Sequence, residues 1–266
     1  MTYTTDNLRL KLARATAVTF TVFGGFALYL TLTVLTIFLS GLDHSFWPYD
    51  DAIWFTGAEI LATVIFAVVG ANAAITVFGP RPHKILVTFA IFFAAFLTAN
   101  GGGTLRDLMK TDLPFWLGQP LYVAIPVAIT VAFSVAEIRV AEPFSKVLSV
   151  LDDFATAVFV CLGVHLVALG GVEFLPSIQE DYFVITASTV AIMTGIGGGT
   201  LRDVCILRGS PTAFRSGTYI PVVAAAVTYS FLFKLQMQTI AFGIPAWVIV
   251  CAFTTVALRI QSESRN

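Results

Sequence analysis

Eight stretches of this 266-residue chain contain no Asp, Glu, Lys or Arg, and each is long enough to cross a bilayer as a helix, which takes roughly 17–25 residues. A single stretch of this kind is compatible with a buried helix of a large soluble protein, but eight in a chain of this length are not. The pattern therefore predicts an all-α polytopic membrane protein with eight transmembrane helices. The stretches are Ala15–Leu42, Ile60–Pro80, Ile85–Leu105, Leu113–Ala136, Phe154–Val172, Tyr182–Leu201, Ser216–Phe233 and Leu235–Leu258.

Composition and charge agree with a membrane environment. Apolar residues make up 57% of the chain and charged residues 12%, against about 45–50% and about 25% in an ordinary soluble domain. The net charge of −1 provides no field that would attract nucleic acid, so no nucleic-acid partner is expected. The cysteines, Cys161, Cys205 and Cys251, lie far apart in or beside apolar stretches, which indicates small packing residues rather than a metal site.

The basic residues indicate how the chain is oriented. With the N-terminus in the cytoplasm and eight crossings, the cytoplasmic side holds twelve Lys and Arg residues and the outer side holds three. This asymmetry follows the positive-inside rule, so both termini are predicted to be cytoplasmic. A basic region followed by an apolar stretch, as at Ala15–Leu42, is also typical of a signal peptide. The apolar stretch here is longer than the roughly 7–15 residues found in a cleavable signal peptide. An uncleaved first helix is therefore expected.

A ten-residue segment occurs twice in the chain. Thr98–Asp107 reads TANGGGTLRD and Thr194–Asp203 reads TGIGGGTLRD, so that eight of the ten positions agree. These segments are named the first copy and the second copy. The similarity extends to the preceding helix, where Phe66 to Gly70 corresponds to Phe159 to Gly163, and to a proline in the following helix, at Pro126 and Pro221.

Each copy lies in a unit of three predicted helices. Because three is odd, the second unit enters the membrane from the side opposite to the first, which makes the two units inverted repeats. The predicted organisation is an N-terminal segment with an extra helix (residues 1–50), a first repeat (51–143), an inverted second repeat (144–234) and a last helix with a tail (235–266). Inverted repeats tend to place a solute site at their interface near the middle of the membrane.

The three consecutive glycines of each copy predict an interruption of the helix. Each glycine costs about 1 kcal/mol relative to alanine in a helix interior, and unwound backbone persists in a membrane only where it is packed in protein or lines a watery cavity. The alternative is close packing of helices through small residues, which needs no pore. Three glycines in a row occupy nearly all sides of a helix rather than one, which favours the interruption.

An Arg and an Asp follow the glycines in both copies. The functional hypothesis is that each aspartate caps a restarted half-helix or pairs with an arginine of the other copy. The alternative is that both residues mark helix ends at the membrane surface. Two arginines and two aspartates sum to zero, so their charge does not decide between a cation and an anion. The predicted pore or solute pathway consists of Gly101, Gly102, Gly103, Thr104, Arg106, Asp107, Gly197, Gly198, Gly199, Thr200, Arg202 and Asp203.

Three further features carry less information. Asn100 precedes the first glycines where the second copy has Ile196, and it either adds polarity to the pathway or caps the chain locally. His165 is compatible with two roles, a gate that responds to protonation or a structural hydrogen-bond donor. Pro126 and Pro221 predict kinks in the third helix of each unit. The sequence has no zinc-protease, Walker or nucleophile-elbow motif, so no catalytic residue, metal ligand or enzyme activity is predicted.

The paired Gly-Gly-Gly-Thr-Leu-Arg-Asp segments and the two Phe-x-x-x-Gly helices before them resemble the trimeric intracellular cation (TRIC) channel family. The resemblance is closest to its prokaryotic branch, also described as a bacterial glycine transporter domain, and covers about Asp51 to Leu258. It implies a core of seven helices, two inverted three-helix repeats plus one, in a homotrimer with one pore in each protomer. The predicted helix Ala15–Leu42 is an addition to that plan.

The resemblance also implies a potassium pathway bounded by the glycine-containing helices, in a prokaryotic inner membrane and without a cofactor. A transported potassium or sodium ion and membrane lipids are the ligands compatible with it. The alternative is a secondary transporter of glycine or a similar small neutral amino acid, whose carboxylate would bind at a helix N-terminus and whose ammonium would face Asp107 or Asp203. A purely structural membrane scaffold is the third hypothesis. Glycine interruptions and a balanced set of charges suit both the channel and the transporter.

Overall fold

The structure is a computed structural model that describes residues 52–79, 84–136, 142–170, 176–206, 211, 216–237, 239–240 and 244–263. The predicted extra helix Ala15–Leu42 and both chain termini lie outside these residues.

Seven α-helices make up most of the described chain. A 3₁₀ helix, Phe115–Leu117, and two short strands, β1 (Thr239–Ile240) and β2 (Ile244–Pro245), which pair antiparallel, are the other described elements. The prediction of a helical protein is confirmed for these residues, and the small hairpin is an element that was not predicted. The helices are α1 (Ala52–Phe78), α2 (Lys84–Met109), α3 (Leu121–Ala136), α4 (Glu142–Gly170), α5 (Pro176–Cys205), α6 (Ser216–Lys234) and α7 (Ala246–Glu263).

Four helices in the described part of the chain are long and apolar enough to cross a membrane. Their apolar segments are Gly57–Phe78, Ile85–Met109, Ser145–Ala168 and Tyr182–Cys205, in α1, α2, α4 and α5. The apolar segments of α3, α6 and α7 are shorter. At 1.5 Å per residue, the 16 residues of α3 measure about 24 Å, which is less than the hydrocarbon core of about 30 Å. The chain is thus a membrane protein in which two pairs of full-length spans, α1 with α2 and α4 with α5, are each followed by shorter helices.

α2 and α5 lie at the centre of the bundle and pack against each other. α2 also packs against α1 and α3, and α5 packs against α4 and α6, so the two halves have the same order of neighbours. α1 meets α4 where Phe66 and Phe159 stack with their ring centroids 5.2 Å apart. These two phenylalanines occupy equivalent positions of the sequence repeat. α7 packs mainly on α4 and α6, which both belong to the second half of the bundle.

The prolines of the repeat occupy equivalent positions in their helices. Pro126 lies inside α3 and Pro221 lies inside α6, in each case five residues after the first residue of the helix. A proline has no N–H with which to bond the carbonyl group four residues earlier. The carbonyl oxygens of Tyr122 and Gly217 therefore lose their helical donor and need another one.

The glycines do not interrupt either helix, so the prediction of two broken helices is wrong. α2 runs from Lys84 to Met109 and α5 from Pro176 to Cys205, each through its three glycines. A non-helical residue does occur in α5, but it is Tyr182, with φ −112° and ψ 17°, far from the glycines. In the membrane interior each unpaired backbone group costs several kcal/mol, more than the about 1 kcal/mol that a glycine costs in a helix. Continuous backbone hydrogen bonding is therefore the more stable solution.

Candidate functional site at a helix crossing

The duplicated glycines form the contact between α2 and α5. A Cβ atom added to Gly102 would overlap the carbonyl oxygen of Thr194, and one added to Gly198 would overlap the carbonyl oxygen of Thr98. Only a residue without a side chain allows two backbones to approach so closely. At these positions the glycines allow close packing of the two helices. This is the alternative to an interrupted helix that was considered from the sequence.

The contacts across the crossing are reciprocal. A Cβ atom on Gly101 would lie 3.1 Å from the Cα atom of Gly198. A Cβ atom on Gly197, the equivalent of Gly101, would lie 3.3 Å from the Cα atom of Gly102, the equivalent of Gly198. Each copy thus repeats the contacts of the other, as two identical surfaces do when they meet about a local two-fold axis.

Threonine hydroxyl groups bond to the helix backbone on both sides of the glycines. Thr98 and Thr194 donate to the carbonyl oxygens four residues earlier, at 2.6 and 2.7 Å. Thr104 and Thr200, after the glycines, do the same at 2.8 Å. A hydroxyl that donates to its own helix retains only acceptor lone pairs for other partners, and Thr104 Oγ1 accepts from Trp116 Nε1–H at 3.0 Å. Oxygen atoms that accept hydrogen bonds therefore flank the crossing.

The Arg–Asp pairs are buried and have the same geometry in both copies. Arg106 Nε and Nη2 donate to Asp107 Oδ1 at 2.8 and 2.7 Å. Arg202 Nε and Nη2 donate to Asp203 Oδ1, both at 2.8 Å. No residue of this set is more than 4% exposed. An isolated charge at such a depth is costly, and each pair neutralises itself within its own copy.

This geometry corrects the hypotheses about the aspartates. They do not cap restarted half-helices, because α2 and α5 are continuous. Each aspartate binds the arginine of its own copy rather than that of the other. Arg106 and Arg202 lie in the last turn of their helices, as the alternative predicted, but the four side chains of the two pairs are buried in protein rather than directed to lipid headgroups. Asp107 has a further role, because its Oδ2 accepts from the Phe115 N–H at 2.8 Å and so fixes the chain after α2.

Phe115 covers the first copy but has no described counterpart at the second. A Cβ atom on Gly103 would lie 2.5 Å from Cε1 of Phe115, and the Arg106 guanidinium carbon lies 5.3 Å from the centroid of that ring. A Cβ atom on Gly199, the equivalent of Gly103, would meet Arg202 Nη2 at 3.8 Å among the described residues. Within the part of the chain that the structure describes, the first copy is packed more tightly than the second.

Asn100 joins α2 to α3. Pro126 leaves the carbonyl oxygen of Tyr122 without its helical donor, and Asn100 Nδ2 donates to that oxygen at 3.0 Å. The amide is fully buried, and its Oδ1 has no hydrogen-bond partner among the described residues. Asn100 therefore supports the neighbouring helix rather than capping its own. Ile196, its equivalent in the second copy, cannot donate in this way.

Glu59 on α1 is a polar neighbour of the site that the sequence argument missed. Its carboxyl group is hydrogen-bonded to the side chain of Tyr122 and lies within electrostatic range of Arg106 and Asp107. A signal was present, because residues 59–70 align with residues 152–163 and an acidic residue begins both segments. A search for uncharged stretches discards that signal, since each stretch stops at the first charged residue.

His165 and the cysteines lie outside the crossing. His165 Nδ1 lies 3.2 Å from the Tyr229 hydroxyl, between α4 and α6, so a structural partner is in place. Cys161 and Cys251 are buried with their Sγ atoms 3.7 Å apart, whereas Cys205 is exposed, which contradicts its predicted role in packing. Among the described residues, no group of three or more His, Cys, Asp or Glu side chains could hold a metal ion.

An open groove of about 360 Å³ lies on the outer face of α2 and α3. Its lining is apolar except for two threonines, and Ile85 and Phe89 at its edge are 74% and 57% exposed. It contains none of the Arg–Asp residues. Such a surface suits lipid chains rather than a charged solute.

Comparison with known proteins matches the chain to the family described as Glycine transporter, over residues 57–137 and 149–234. Each matched segment contains one copy of the glycine motif. The chain is 27% identical over 187 residues to the UPF0126 inner membrane protein YadS of Escherichia coli strain K12, covering 67% of this chain and 81% of that protein. It is 28% identical over 204 residues to a UPF0126 membrane protein of Vibrio cholerae serotype O1, covering 76% of each.

Two solved structures share the fold. One, described as giving the structural basis for conductance through TRIC cation channels, superimposes with a TM-score of 0.56 at 20% identity and covers 77% of this chain and 89% of that chain. The other, a prokaryotic TRIC channel crystallised in 0.5 M KCl, has a TM-score of 0.59 at 17% identity, covering 80% and 98%. At these identities the likeness establishes a common fold.

Proposed function

The chain belongs to the glycine transporter family, and from that premise we propose that it conducts monovalent cations, chiefly potassium, through a pathway in each protomer beside the crossing of α2 and α5. The observation that carries the proposal is the burial of two identical Arg–Asp pairs inside helices long and apolar enough to span a membrane. Charged groups that are buried in the helices of a membrane protein face the protein interior or a watery route rather than lipid. The fold shared with structures described as cation channels supports a channel.

Two inverted three-helix repeats, residues 51–143 and 144–234, form this pathway in the proposal. The reciprocal glycine contacts, the stacking of Phe66 on Phe159 and the matching order of helix neighbours support a two-fold relation between the halves. A segment that contacts its own equivalent about a two-fold axis lies on that axis. The crossing is then the midpoint of the pathway, with the residues of both copies beside it.

Side chains, rather than unwound backbone, supply the oxygen atoms. The glycine triplets bring α2 and α5 together, and Thr104, Thr200 and the two Arg–Asp pairs lie next to them. Both threonine hydroxyls keep acceptor lone pairs, because their protons bond the helix backbone. Oxygen atoms of this kind replace part of the hydration shell of an ion in cation-selective pores.

Glu59 supports the choice of a cation over an anion. Arginine and aspartate alone balance in each copy, so the sequence left the sign open. At the first copy, a second carboxyl group, that of Glu59, lies within electrostatic range of Arg106 and Asp107. Carboxyl groups that line a pore favour cations.

We further propose a homotrimer in a prokaryotic inner membrane, with both termini in the cytoplasm. The family resemblance implies the trimer, and the distribution of Lys and Arg implies the orientation. The E. coli relative, which is named an inner membrane protein, supports the location. Membrane lipids cover the exposed apolar side chains, such as Phe253 at 73% exposure. The transported ion, potassium or sodium, is the only small ligand that the proposal needs, and no catalytic step belongs to it.

A secondary transporter of glycine or a similar small neutral amino acid is the second candidate, because the family that the chain belongs to is described as Glycine transporter. An aspartate of the site would bind the ammonium group and an arginine the carboxylate. In this structure the arginine and aspartate of each copy are already paired with each other. A zwitterion would have to separate buried ion pairs, and that cost favours the channel.

Flux of two labelled solutes through one preparation separates the candidates. The full-length protein is reconstituted in liposomes, and uptake of radioactive rubidium, a tracer for potassium, is compared with uptake of labelled glycine. We expect rubidium uptake driven by a potassium gradient, with glycine uptake no greater than in empty liposomes. The variant Gly57→Ala, whose new Cβ atom meets nothing within 4 Å, controls for reconstitution. Saturable glycine uptake without rubidium uptake would establish a transporter, and neither flux would favour the scaffold.

A further inference from the structure

The connection between α2 and α3, residues 110–120, folds back onto the first copy. The indole N–H of Trp116 donates to Thr104 Oγ1 at 3.0 Å, and the backbone N–H of Phe115 donates to Asp107 Oδ2 at 2.8 Å. Thr104 and Asp107 both belong to the predicted pathway. Two of the oxygen atoms that the proposed function offers to a cation are therefore already bonded to the connection.

The ring of Phe115 lies on the last glycine of the triplet and on the ion pair that follows it. A Cβ atom on Gly103 would lie 2.5 Å from Phe115 Cε1, and the guanidinium carbon of Arg106 lies 5.3 Å from the ring centroid. Tyr122 packs edge-on against the same ring, with the centroids 4.7 Å apart. The missing side chain at Gly103 thus makes room for this ring rather than for the backbone of α5.

The connection is more exposed than the residues that it contacts. Phe115 and Trp116 are partly buried and Leu117 is 58% exposed, whereas Arg106 and Asp107 are each 4% exposed. Segments with few buried contacts open locally at a lower free energy than the core to which they are bound. The connection can therefore leave the first copy without unfolding α2.

The donors of the connection occupy the positions that a cation needs. The Thr104 hydroxyl donates its proton to the Asn100 carbonyl oxygen at 2.8 Å, so only its lone pairs remain for other partners. Trp116 N–H takes one of these lone pairs. At Asp107, Oδ1 holds the ion pair and Oδ2 accepts from Phe115. A cation at either oxygen atom competes with an N–H donor of the connection.

The second copy cannot be closed in the same way. Its equivalent connection, between α5 and α6, consists of residues 206–215 and contains no tryptophan. No indole donor for Thr200, the equivalent of Thr104, is available from that connection. The two ends of the proposed pathway therefore differ in whether such a closure can form.

We propose that residues 114–117 form a lid that closes the pathway at the first copy, and that a cation opens it by taking Thr104 Oγ1 and Asp107 Oδ2 from the two N–H donors. The structure shows the closed state. This lid rests on the proposed cation pathway and adds regulation at one of its ends. Because the cation and the closed lid exclude each other at these oxygen atoms, potassium shifts the lid towards its open state.

A purely structural role for the connection is the competing explanation. The same bonds would then only fix the turn between α2 and α3. Both explanations expect the loss of a contact to lower thermal stability. Only the lid expects the same loss to raise the flux of ions, so flux is the decisive quantity.

The first experiment measures rubidium uptake into liposomes that contain the full-length protein. Trp116→Phe removes the indole N–H but keeps a ring beside Phe96, and Phe115→Leu removes the ring but keeps the backbone N–H that bonds Asp107. Each variant should raise the initial rate by about threefold or more, as expected when the closed state loses one favourable contact. Leu117→Ala, an exposed position of the same 3₁₀ helix, should leave the rate unchanged. Either variant decides if the other does not fold.

The second experiment follows the lid in detergent through the fluorescence of Trp116, taken as the difference between wild type and Trp116→Phe. Quenching by acrylamide should be stronger in KCl than in N-methyl-D-glucamine chloride at equal ionic strength, because potassium frees the indole from Thr104.

Two outcomes overturn the lid: folded variants that carry rubidium no faster than wild type, or quenching that is the same in both salts. Flux and quenching together separate the lid from the proposed function. Wild-type flux that the variants do not raise removes the lid and keeps the channel. If no protein carries rubidium, the channel fails, and the quenching response alone keeps or overturns the lid.

Discussion

The two copies of the glycine motif share their contacts with each other and differ in what surrounds them. At the crossing, Gly102 and Gly198 each meet a threonine carbonyl of the opposite helix, and the two ion pairs have nearly equal lengths. Away from the crossing, the first copy adds the buried amide of Asn100 and the ring of Phe115. The second copy has Ile196 instead of the amide.

This difference shows that residues inside the two-fold contact have to be the same size in both copies, whereas residues outside it can differ in chemistry. A glycine inside the crossing contacts the equivalent segment of the other helix, so a larger residue in either copy disturbs both. A residue beyond the crossing contacts only its own half and is free to differ. The shared residues therefore hold the helices together, and the unshared residues make the two ends of the proposed pathway unequal.

Removal of one partner from either buried ion pair should cause the largest loss of stability, and it tests whether the two copies are equivalent. Asp107→Asn and Asp203→Asn each leave a buried arginine without its counter-charge, which costs about 3–5 kcal/mol of unfolding free energy. We expect a loss of that size in both variants. Denaturant titration of the detergent-solubilised protein measures it.

The control for the ion pairs is Asp112→Asn, which removes a carboxylate that is 49% exposed and paired with Lys110. An exposed pair contributes about 0–1 kcal/mol. A loss confined to one of the two buried aspartates would break the equivalence of the copies.

The glycines at the crossing give the next largest effect. In Gly102→Ala and Gly198→Ala the new methyl group meets a backbone carbonyl oxygen, which no side-chain rotation can relieve. Overpacking of this kind costs about 1–3 kcal/mol, and we expect equal losses in the two variants. Thermal unfolding compares them with Gly57→Ala, where the added atom has no neighbour within 4 Å. Losses no larger than that of Gly57→Ala would contradict the close crossing.

The third glycine of each triplet gives a smaller effect that should differ between the copies. In Gly103→Ala the methyl group meets the ring of Phe115, which can shift at a cost of about 1 kcal/mol. In Gly199→Ala the described neighbour is 3.8 Å away, so the better helix propensity of alanine should stabilise by about 0.5–1 kcal/mol. The same thermal assay decides, and equal effects would show that the surroundings of the copies do not differ as the structure indicates.

The uncharged stretches located the described helices but not their ends. α4 begins at Glu142 although its uncharged stretch begins at Phe154, because a helix continues with charged residues beyond the membrane. α7 begins at Ala246 although its stretch begins at Leu235. There the chain turns at Gln236, with φ 57°, and forms the small hairpin without any charged residue. Absence of charge reports contact with lipid, whereas helix ends depend on backbone hydrogen bonds.

The sequence located the two segments that meet but misjudged their backbone. It weighed the low helix propensity of glycine and gave too little weight to the cost of unpaired backbone in a membrane. Glu59, Phe115 and Tyr122 were missed because their roles arise from the packing of α1 and α3 on α2, which no local pattern encodes. The contact between equivalent residues was accessible in principle, since inverted repeats bring equivalent helices to their shared axis.

Single-channel recording in planar bilayers tests most directly the claim that the crossing lies on a cation pathway. Purified full-length protein between unequal KCl solutions should give unitary currents that reverse near the potassium equilibrium potential. Glu59→Gln should move the reversal potential towards that of chloride, because the variant removes a carboxyl group near Arg106. Currents that reverse near the chloride equilibrium potential, or no unitary currents from protein that takes up labelled glycine, would contradict the account.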